Sequence, residues 1–488
     1  MLSWIQFLEA LVKEVSLRFL FFRNVFSRLL GILKNLIVVP FLSPQLLGIY
    51  RYILTLMNYS QYLHFGSVTY LIFHYSRLKN NQVQLNSAIQ FSVIGLYVGA
   101  IASFLLCFFF IPDSISLLES LLISFSSCAT LFAFYVLIRL RIELKFNLLA
   151  KEDLISQVIG LVFFILLGYI WGVTGLLLGT QLGLLYLIVR YRDYFKVSFE
   201  GIDVAVLKSK FLIGKSLWFS SLANQLSLSI DLLLLKFFLQ DRATDYGYYA
   251  FCIMIAGIVN SIMGIFIEVQ GQIFLEKISQ YQHDELKSNP TVTNELLDMM
   301  YRDSIISIMI ILIVNFGMSI AIFLFLPKYE SIIPNIFVFL LSVFILRWRN
   351  YFVLILNRIE LSNKVTYASI IGVAAAILLM IPLYWIRDLD LKWISHLTLI
   401  TYLVVNLSVL IIFNCTVDKL NFLQIGIKIV AIFIPCLVLY LYSLKIINFS
   451  IYTYFIIAGL SIVLIAPIYV LLIRNDFFGA LAYLKAVK

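Results

Sequence analysis

Charge is what this chain has least of. Only 13% of its 488 residues are Asp, Glu, Lys or Arg, against about a quarter in soluble domains. Hydrophobic residues make up 62% and mean hydropathy is +1.00. Those values exclude a soluble globular enzyme, and no stretch is left over to build a soluble domain. The four histidines, His64, His74, His283 and His396, are scattered. None has Ser, Cys or carboxylate neighbours at a catalytic spacing, so no enzyme is expected. The five cysteines, Cys107, Cys128, Cys252, Cys415 and Cys436, all fall in apolar runs. That argues against a disulfide framework and a thiolate metal site, and no metal or cofactor is expected. Ten-residue alternation of apolar and polar positions is also missing, which favours a helical bundle over a β-barrel. Residues 1–17 lack the continuous apolar core of a cleavable signal peptide. Trp4, Phe7, Leu8, Leu11 and Val15 predict a short interfacial helix there instead.

Apolar runs are what is present. Crossing a ~30 Å hydrocarbon core takes about 20 apolar residues per helix, and the runs predict an all-α, polytopic membrane protein of about fourteen spans. They lie near 18–39, 46–75, 87–110, 115–138, 153–170, 173–190, 212–237, 247–275, 302–326, 334–356, 365–386, 395–413, 425–445 and 451–473. With the amino terminus inside, cations such as Arg77, Lys79, Arg139, Arg141, Lys145, Arg190, Arg192, Lys196, Lys277, Arg358 and Arg474 collect on one side. Few, among them Arg242, Lys328 and Arg387, fall on the other. The positive-inside rule then puts both termini in the cytoplasm and accounts for the net charge of +10 without nucleic acid.

The spans group as a six-helix lobe over 18–190, a cytoplasmic connector over 191–211, a second six-helix lobe over 212–413, two extra helices over 425–473 and a tail over 474–488. A short internal repeat supports the division. LGIYRYILTLMN follows the first span and YGYYAFCIMIAG the seventh, so Gly48 and Tyr50 align with Gly247 and Tyr249. An even number of spans per half relates the halves by an axis along the membrane normal.

Polar groups inside these spans are the candidate site. A cation at mid-bilayer costs roughly 2.5–3.5 kcal/mol even on lenient insertion scales, yet Arg23, Arg28 and Lys34 share the first span. At ~100° per residue, with Arg23 at zero, Lys34 falls at about 20°, Ser27 at about 40°, Gly31 at about 80°, Asn24 at about 100°, Asn35 at about 120° and Arg28 at about 140°. Leu29, Leu30, Leu33 and Leu36 fill the other side, so a wet cavity is expected on the polar face. In the second span Arg51, Thr55, Asn58 and Tyr62 stack at i, i+4, i+7 and i+11. In the seventh, Ser216, Ser220, Asn224, Ser227 and Asp231 share one stripe. Asp231 reads as the deepest carboxylate, either a structural partner for a cation or a protonatable group for ion coupling. In the tenth, Arg347 and Arg349 point about 200° apart and cannot share one cavity; Arg347 is the better binding candidate. Asp388 and Asp390 form an acidic pair on an outer loop, the single foothold for an integral membrane glycosyltransferase or polymerase.

The deep groups are mostly cationic: Arg23, Arg28, Lys34, Arg51 and Arg347 against Asp231. Such an interior prefers an anion, and guanidinium groups chelate phosphate oxygens with paired hydrogen bonds. SRLLGILKN from Ser27, VVPFLSPQLLGIYRYILTL from Val38 and FSSLANQLSLSIDLLLLKFFL from Phe219 resemble the polysaccharide flippases of the multidrug/oligosaccharidyl-lipid/polysaccharide exporter superfamily. The first string is also similar to the lipid II flippases, in which basic residues at the places of Arg28 and Lys34 contact the cargo; Asn35 replaces an acidic residue of that pattern. The resemblance implies two six-helix lobes around a central cavity, with two C-terminal helices forming a groove for a lipid tail. It implies, too, a bacterial inner-membrane protein for O-antigen, capsule or a similar envelope polysaccharide. The implied cargo is undecaprenyl-pyrophosphate-linked oligosaccharide, moved to the periplasmic leaflet by alternating access. Membrane lipids and the polysaccharide polymerase and ligase machinery would be its partners. A cation-coupled multidrug antiporter of the same superfamily is the alternative, disfavoured by the basic cavity.

Overall fold

Helix ends in this chain are written by small polar residues and proline. Ser43 accepts a hydrogen bond from the Leu46 amide at 3.4 Å and Pro44 takes the first helical position. Asn81 caps the helix after it in the same way, and Ser116 with Glu119 forms a reciprocal capping box. The computed structural model describes residues 15–78, 81–112, 114–197, parts of 214–239, 242–279, 290–358, 362–386 and 391–416. Residues 1–14 of the expected interfacial helix, the extra helices over 425–473, the tail, Asp388 and Asp390 lie outside them, and Val15, expected in that helix, opens the first membrane helix instead.

The helices are α1 (Val15–Phe41), α2 (Pro44–Tyr59), α3 (Ser67–Leu78), α4 (Gln82–Phe110), α5 (Leu117–Ile142) and α6 (Phe146–Arg190). They continue as α7 (Ala243–Ser279), α8 (Pro290–Phe325), α9 (Ile333–Arg358), α10 (Ser362–Ile386) and α11 (Leu391–Thr416). No strand occurs among the described residues, and eight helices there are long and apolar enough to cross a membrane. The fold is all-α and multi-pass. Two compact units divide between Ala250 and Phe251. Within the first, α1 packs on α6, α4 lies between α3 and α5, and α5 packs on α6. Within the second, α9 and α10 both pack on α11 and α8 packs on α9.

The second predicted span, 46–75, is broken. After α2 the chain makes a 3-10 turn over Ser60–Tyr62, and Phe65 and Gly66 take positive φ of 49° and 86° before α3 starts. Unwound backbone at membrane depth must find internal partners. Here His64 Nδ1 accepts from the Gly66 amide at 3.1 Å and the His64 carbonyl accepts from the Ser67 hydroxyl at 2.7 Å, while the Ser103 hydroxyl bridges the side chains of Ser60 and Ser127 at 2.6 and 2.8 Å. A Cβ on Gly99 would fall 2.2 Å from the Leu63 carbonyl, so α4 comes this close because it is glycine there.

The fifth and sixth predicted spans are the two arms of α6, reversed at Gly172 (φ 56°, ψ −128°). Gly175, Gly179 and Gly183 run along the second arm at every fourth position. A Cβ on any of them would lie 1.9–2.5 Å from the first arm's backbone, so the hairpin closes as a small-residue seam. At its open end Glu143 ties α5 to the turn after α6. It accepts from Arg139 Nη2 at 2.6 Å, Lys145 Nζ at 2.7 Å and the Tyr194 hydroxyl at 3.1 Å. Burial works to raise the Glu143 carboxyl, but the hydrogen bonds from Lys145 and Arg139 outweigh it and hold the group below its ordinary value.

Two predictions follow from this packing. Gly183→Leu should destabilise the detergent-solubilised protein by about 1–3 kcal/mol, an overpacking cost. Gly31→Ala, where a Cβ meets nothing within 4 Å, should leave the melting temperature unchanged. Equal melting of the two variants would contradict the seam. A depressed folded-state value means Glu143 stabilises fully above its ordinary value of 4.5 and loses that effect as pH falls through the folded one. Glu143→Gln should therefore melt below the parent at about pH 7, with the gap closing toward about pH 3; a gap independent of pH would refute the assignment.

Candidate functional site

Buried ionisable groups survive only with partners or water, and on α1 they divide by face. The Arg23 guanidinium donates from Nε to Asp153 Oδ2 at 2.6 Å, with the two side chains 21% and 7% exposed. Gln157, one turn along α6, donates to Asp153 Oδ1 at 3.2 Å and to the Ser27 hydroxyl. Further along, a Cβ built on Gly160 of α6 would sit 3.3 Å from Lys34 Nζ. Arg23, Ser27 and Lys34, within about 40° of arc, therefore all turn toward α6. Arg28 is half-buried and lies about 120° round from Lys34, on the side of Asn24, Gly31 and Asn35. Space is open beside Gly31. The helix turns one polar face to α6, and Arg28 lies round from it on the side of that opening.

A second cluster forms where α2 meets residues 214–250, inside the same compact unit. Gly48 and Gly247, aligned by the internal repeat, touch: a Cβ on Gly48 would lie 3.2 Å from the Gly247 Cα, and one on Gly247 would lie 1.7 Å from the Pro44 carbonyl. Gln45 donates to the Thr244 hydroxyl at 3.2 Å. Deeper in, the Tyr59 and Ser229 hydroxyls are 2.5 Å apart, and Tyr62 donates to Gln225 Oε1 at 3.3 Å. Asp231 is 2% exposed. It accepts from the Tyr249 hydroxyl and, at 2.8 Å, from the Leu232 amide. Arg51 is half-buried and interacts electrostatically with Tyr50 and Tyr246. Of the rest of its stripe, Asn58 is exposed and Tyr62 falls in the 3-10 turn, off the helix.

Asn224, Ser216, Ser220 and Ser227 lie outside the described residues, as does the side chain of Arg347, whose backbone is in α9. Arg349, 1% exposed, donates from Nη2 to the Ser369 hydroxyl of α10 at 2.6 Å. It joins two helices of the second unit.

Two buried acids escaped the sequence reading. Glu152, 3% exposed, accepts from the Tyr186 hydroxyl at 2.6 Å, and Asp153 holds Arg23. Placing the fifth span's start at 153 put both at the membrane boundary. The period of Glu152, Asp153, Ser156, Gln157 and Gly160 along one helix face was the available signal.

No protein-family model and no curated protein matches the chain. Solved structures do. The lipid II flippase MurJ in an inward closed conformation aligns with 94% of this chain and 99% of its own, at TM-score 0.68 and 15% identity. An inward-facing multidrug resistance MATE family transporter of the MOP superfamily aligns over 80% and 95%, at TM-score 0.57 and 13% identity. A MATE protein in complex with MaL6 aligns over 84% and 94%, at TM-score 0.52 and 13% identity. The chain has the fold of these transporters. At such identities the likeness is one of architecture, and the residues of this chain carry the rest.

The ion pair makes a direct prediction. Arg23→Gln leaves Asp153 buried against one fewer donor and should cost up to about 3 kcal/mol, the low end for a buried pair because Arg23 is partly exposed. The double variant Arg23→Gln/Asp153→Asn should recover most of that loss in a thermal unfolding series. Additive losses would show that the two groups are not coupled.

Proposed function

We propose that this chain is a flippase of the inner bacterial membrane that moves undecaprenyl-pyrophosphate-linked oligosaccharide from the cytoplasmic to the periplasmic leaflet by alternating access. The observation that carries this reading is the division of α1. Arg28 lies about 120° round the helix from Lys34, on the side where space is open beside Gly31. A guanidinium there can grip pyrophosphate oxygens with paired hydrogen bonds, strengthened by a low local dielectric. Arg51, Asn58 and Asn224 are proposed to contribute to the same cargo cavity, and Arg347 of the second unit is proposed to bind cargo as well. Lys34 would contribute charge from the α6 side, and Arg23 would act through packing. The polyprenyl tail would stay in lipid throughout. Both termini would be cytoplasmic, the cargo would serve O-antigen, capsule or a similar polysaccharide, and a polymerase and ligase would take it over.

Directional transport requires the two access states to be biased by cargo affinity or an ion gradient. Asp231, buried and bonded to Tyr249, is the proposed coupling group. A cation-coupled multidrug antiporter is the second reading. It is favoured by one observation, the buried carboxylates Glu152, Asp153 and Asp231 among the described residues.

The test is transbilayer movement of a fluorescent polyprenyl-pyrophosphoryl oligosaccharide in proteoliposomes. Movement should require protein, fall at least tenfold in Arg28→Ala and recover only in part in Arg28→Lys, which loses the paired contact. Expulsion of a cationic dye with no lipid movement would turn the reading to the antiporter.

A further inference from the structure

The turn that follows α6 forms a groove with α4 that belongs to neither polar cluster. A cavity of about 650 Å³ is lined by Ile94, Tyr97 and Val98 of α4 and by Arg192, Phe195, Lys196 and Val197. Its base is fixed. The Tyr97 hydroxyl donates to the Phe195 carbonyl at 3.2 Å, and the Phe195 ring stands edge-on to Phe132 at 5.1 Å. Below it, Tyr97, Val98, Ile101 and Leu105 present exposed apolar surface along α4. A polar cavity would not be lined this way, so this face meets acyl chains. Counting about 20 residues of hydrocarbon core back from Phe110 reaches about position 91. Tyr97 and Val98 therefore lie about 9–10 Å inside the core, and the exposed Arg192 and Lys196 have side chains long enough to snorkel from the turn to its rim.

The rim is basic. Arg190, Arg192 and Lys196 fall within seven residues against one acid, Asp193. That acid pairs with Lys196 at 2.7 Å across exposed side chains, a contact that contributes little in water. Arg192 and Lys196 are both exposed and both line the groove. An apolar wall at acyl depth beneath two cations at headgroup depth matches one ligand chemistry, an amphiphile with an anionic head.

We propose that this groove binds an anionic bilayer phospholipid. Its acyl chain lies along Ile94, Tyr97 and Val98, and its headgroup phosphate is held by Arg192 and Lys196. The site is independent of the transported cargo and does not rest on the flippase reading.

The experiment is native mass spectrometry of the full-length protein released from a neutral detergent. It is titrated separately with phosphatidylglycerol, phosphatidylcholine of the same chains, and glycerol 3-phosphate. Phosphatidylglycerol should bind tightest, and glycerol 3-phosphate, without chains, should not be retained. Arg192→Gln/Lys196→Gln, at exposed positions that leave the core intact, should weaken phosphatidylglycerol about tenfold and leave phosphatidylcholine unchanged. Val98→Asp, a charge on the wall rather than the rim, should weaken both lipids. Equal affinity of the double Gln variant and the parent for phosphatidylglycerol would overturn the proposal. So would retention of glycerol 3-phosphate as strongly as the lipid, which would mark a simple anion site.

Discussion

The contact on which the first unit depends is the ion pair between Arg23 and Asp153. Each charge alone would be costly among apolar helices; together, with Gln157 donating to the second Asp153 oxygen and to Ser27, and Asn24 accepting from Arg23 Nη1, they become a clamp between α1 and α6. The clamp fixes the rotation of α1 about its own axis. Once Arg23, Ser27 and Lys34 are turned to α6, helical geometry leaves Arg28 no choice of side. A residue used for packing thereby sets the side of the helix on which the proposed cargo-binding residue lies.

The same economy governs the backbone. The second span is broken at Ser60 to Gly66, and freed backbone groups are taken up by the His64 ring, the Ser67 hydroxyl and the Trp218 indole. Discontinuous helices tolerated in this way are a recurring means of bringing polar backbone to membrane depth. Here the break carries Tyr62 and its neighbours against residues 218 and 225.

Hydropathy made the helical, multi-pass character legible, because a run of about 20 apolar residues has few other uses. Turn residues were less legible. The polar stretch SQYLHFGS from Ser60 marks the first break, but the span expected over 46–75 runs through it, while the Gly172 reversal coincides with a gap between two expected spans. The alignment of Gly48 with Gly247 was visible in the repeat, but that the two glycines touch is a tertiary fact. The candidate site was half legible. Deep cations stand out in an apolar sequence, whereas their neutralisation does not: Asp153 lies 130 residues from Arg23, and nothing local links them. The inventory of deep cations was therefore too basic. Arg349 is a similar case: its partner Ser369 lies 20 residues away on the next helix, and nothing local links the two.

The central claim is that one face of α1 packs and the other binds. Its most direct test is the affinity of purified protein for undecaprenyl pyrophosphate, comparing Arg28→Ala with the double variant Arg23→Gln/Asp153→Asn. The account predicts at least tenfold weaker binding for Arg28→Ala, as expected for loss of a charge-assisted pair of hydrogen bonds, and parental binding for the double variant. Parental binding by Arg28→Ala with loss in the double variant would place the ligand on the α6 face and contradict it.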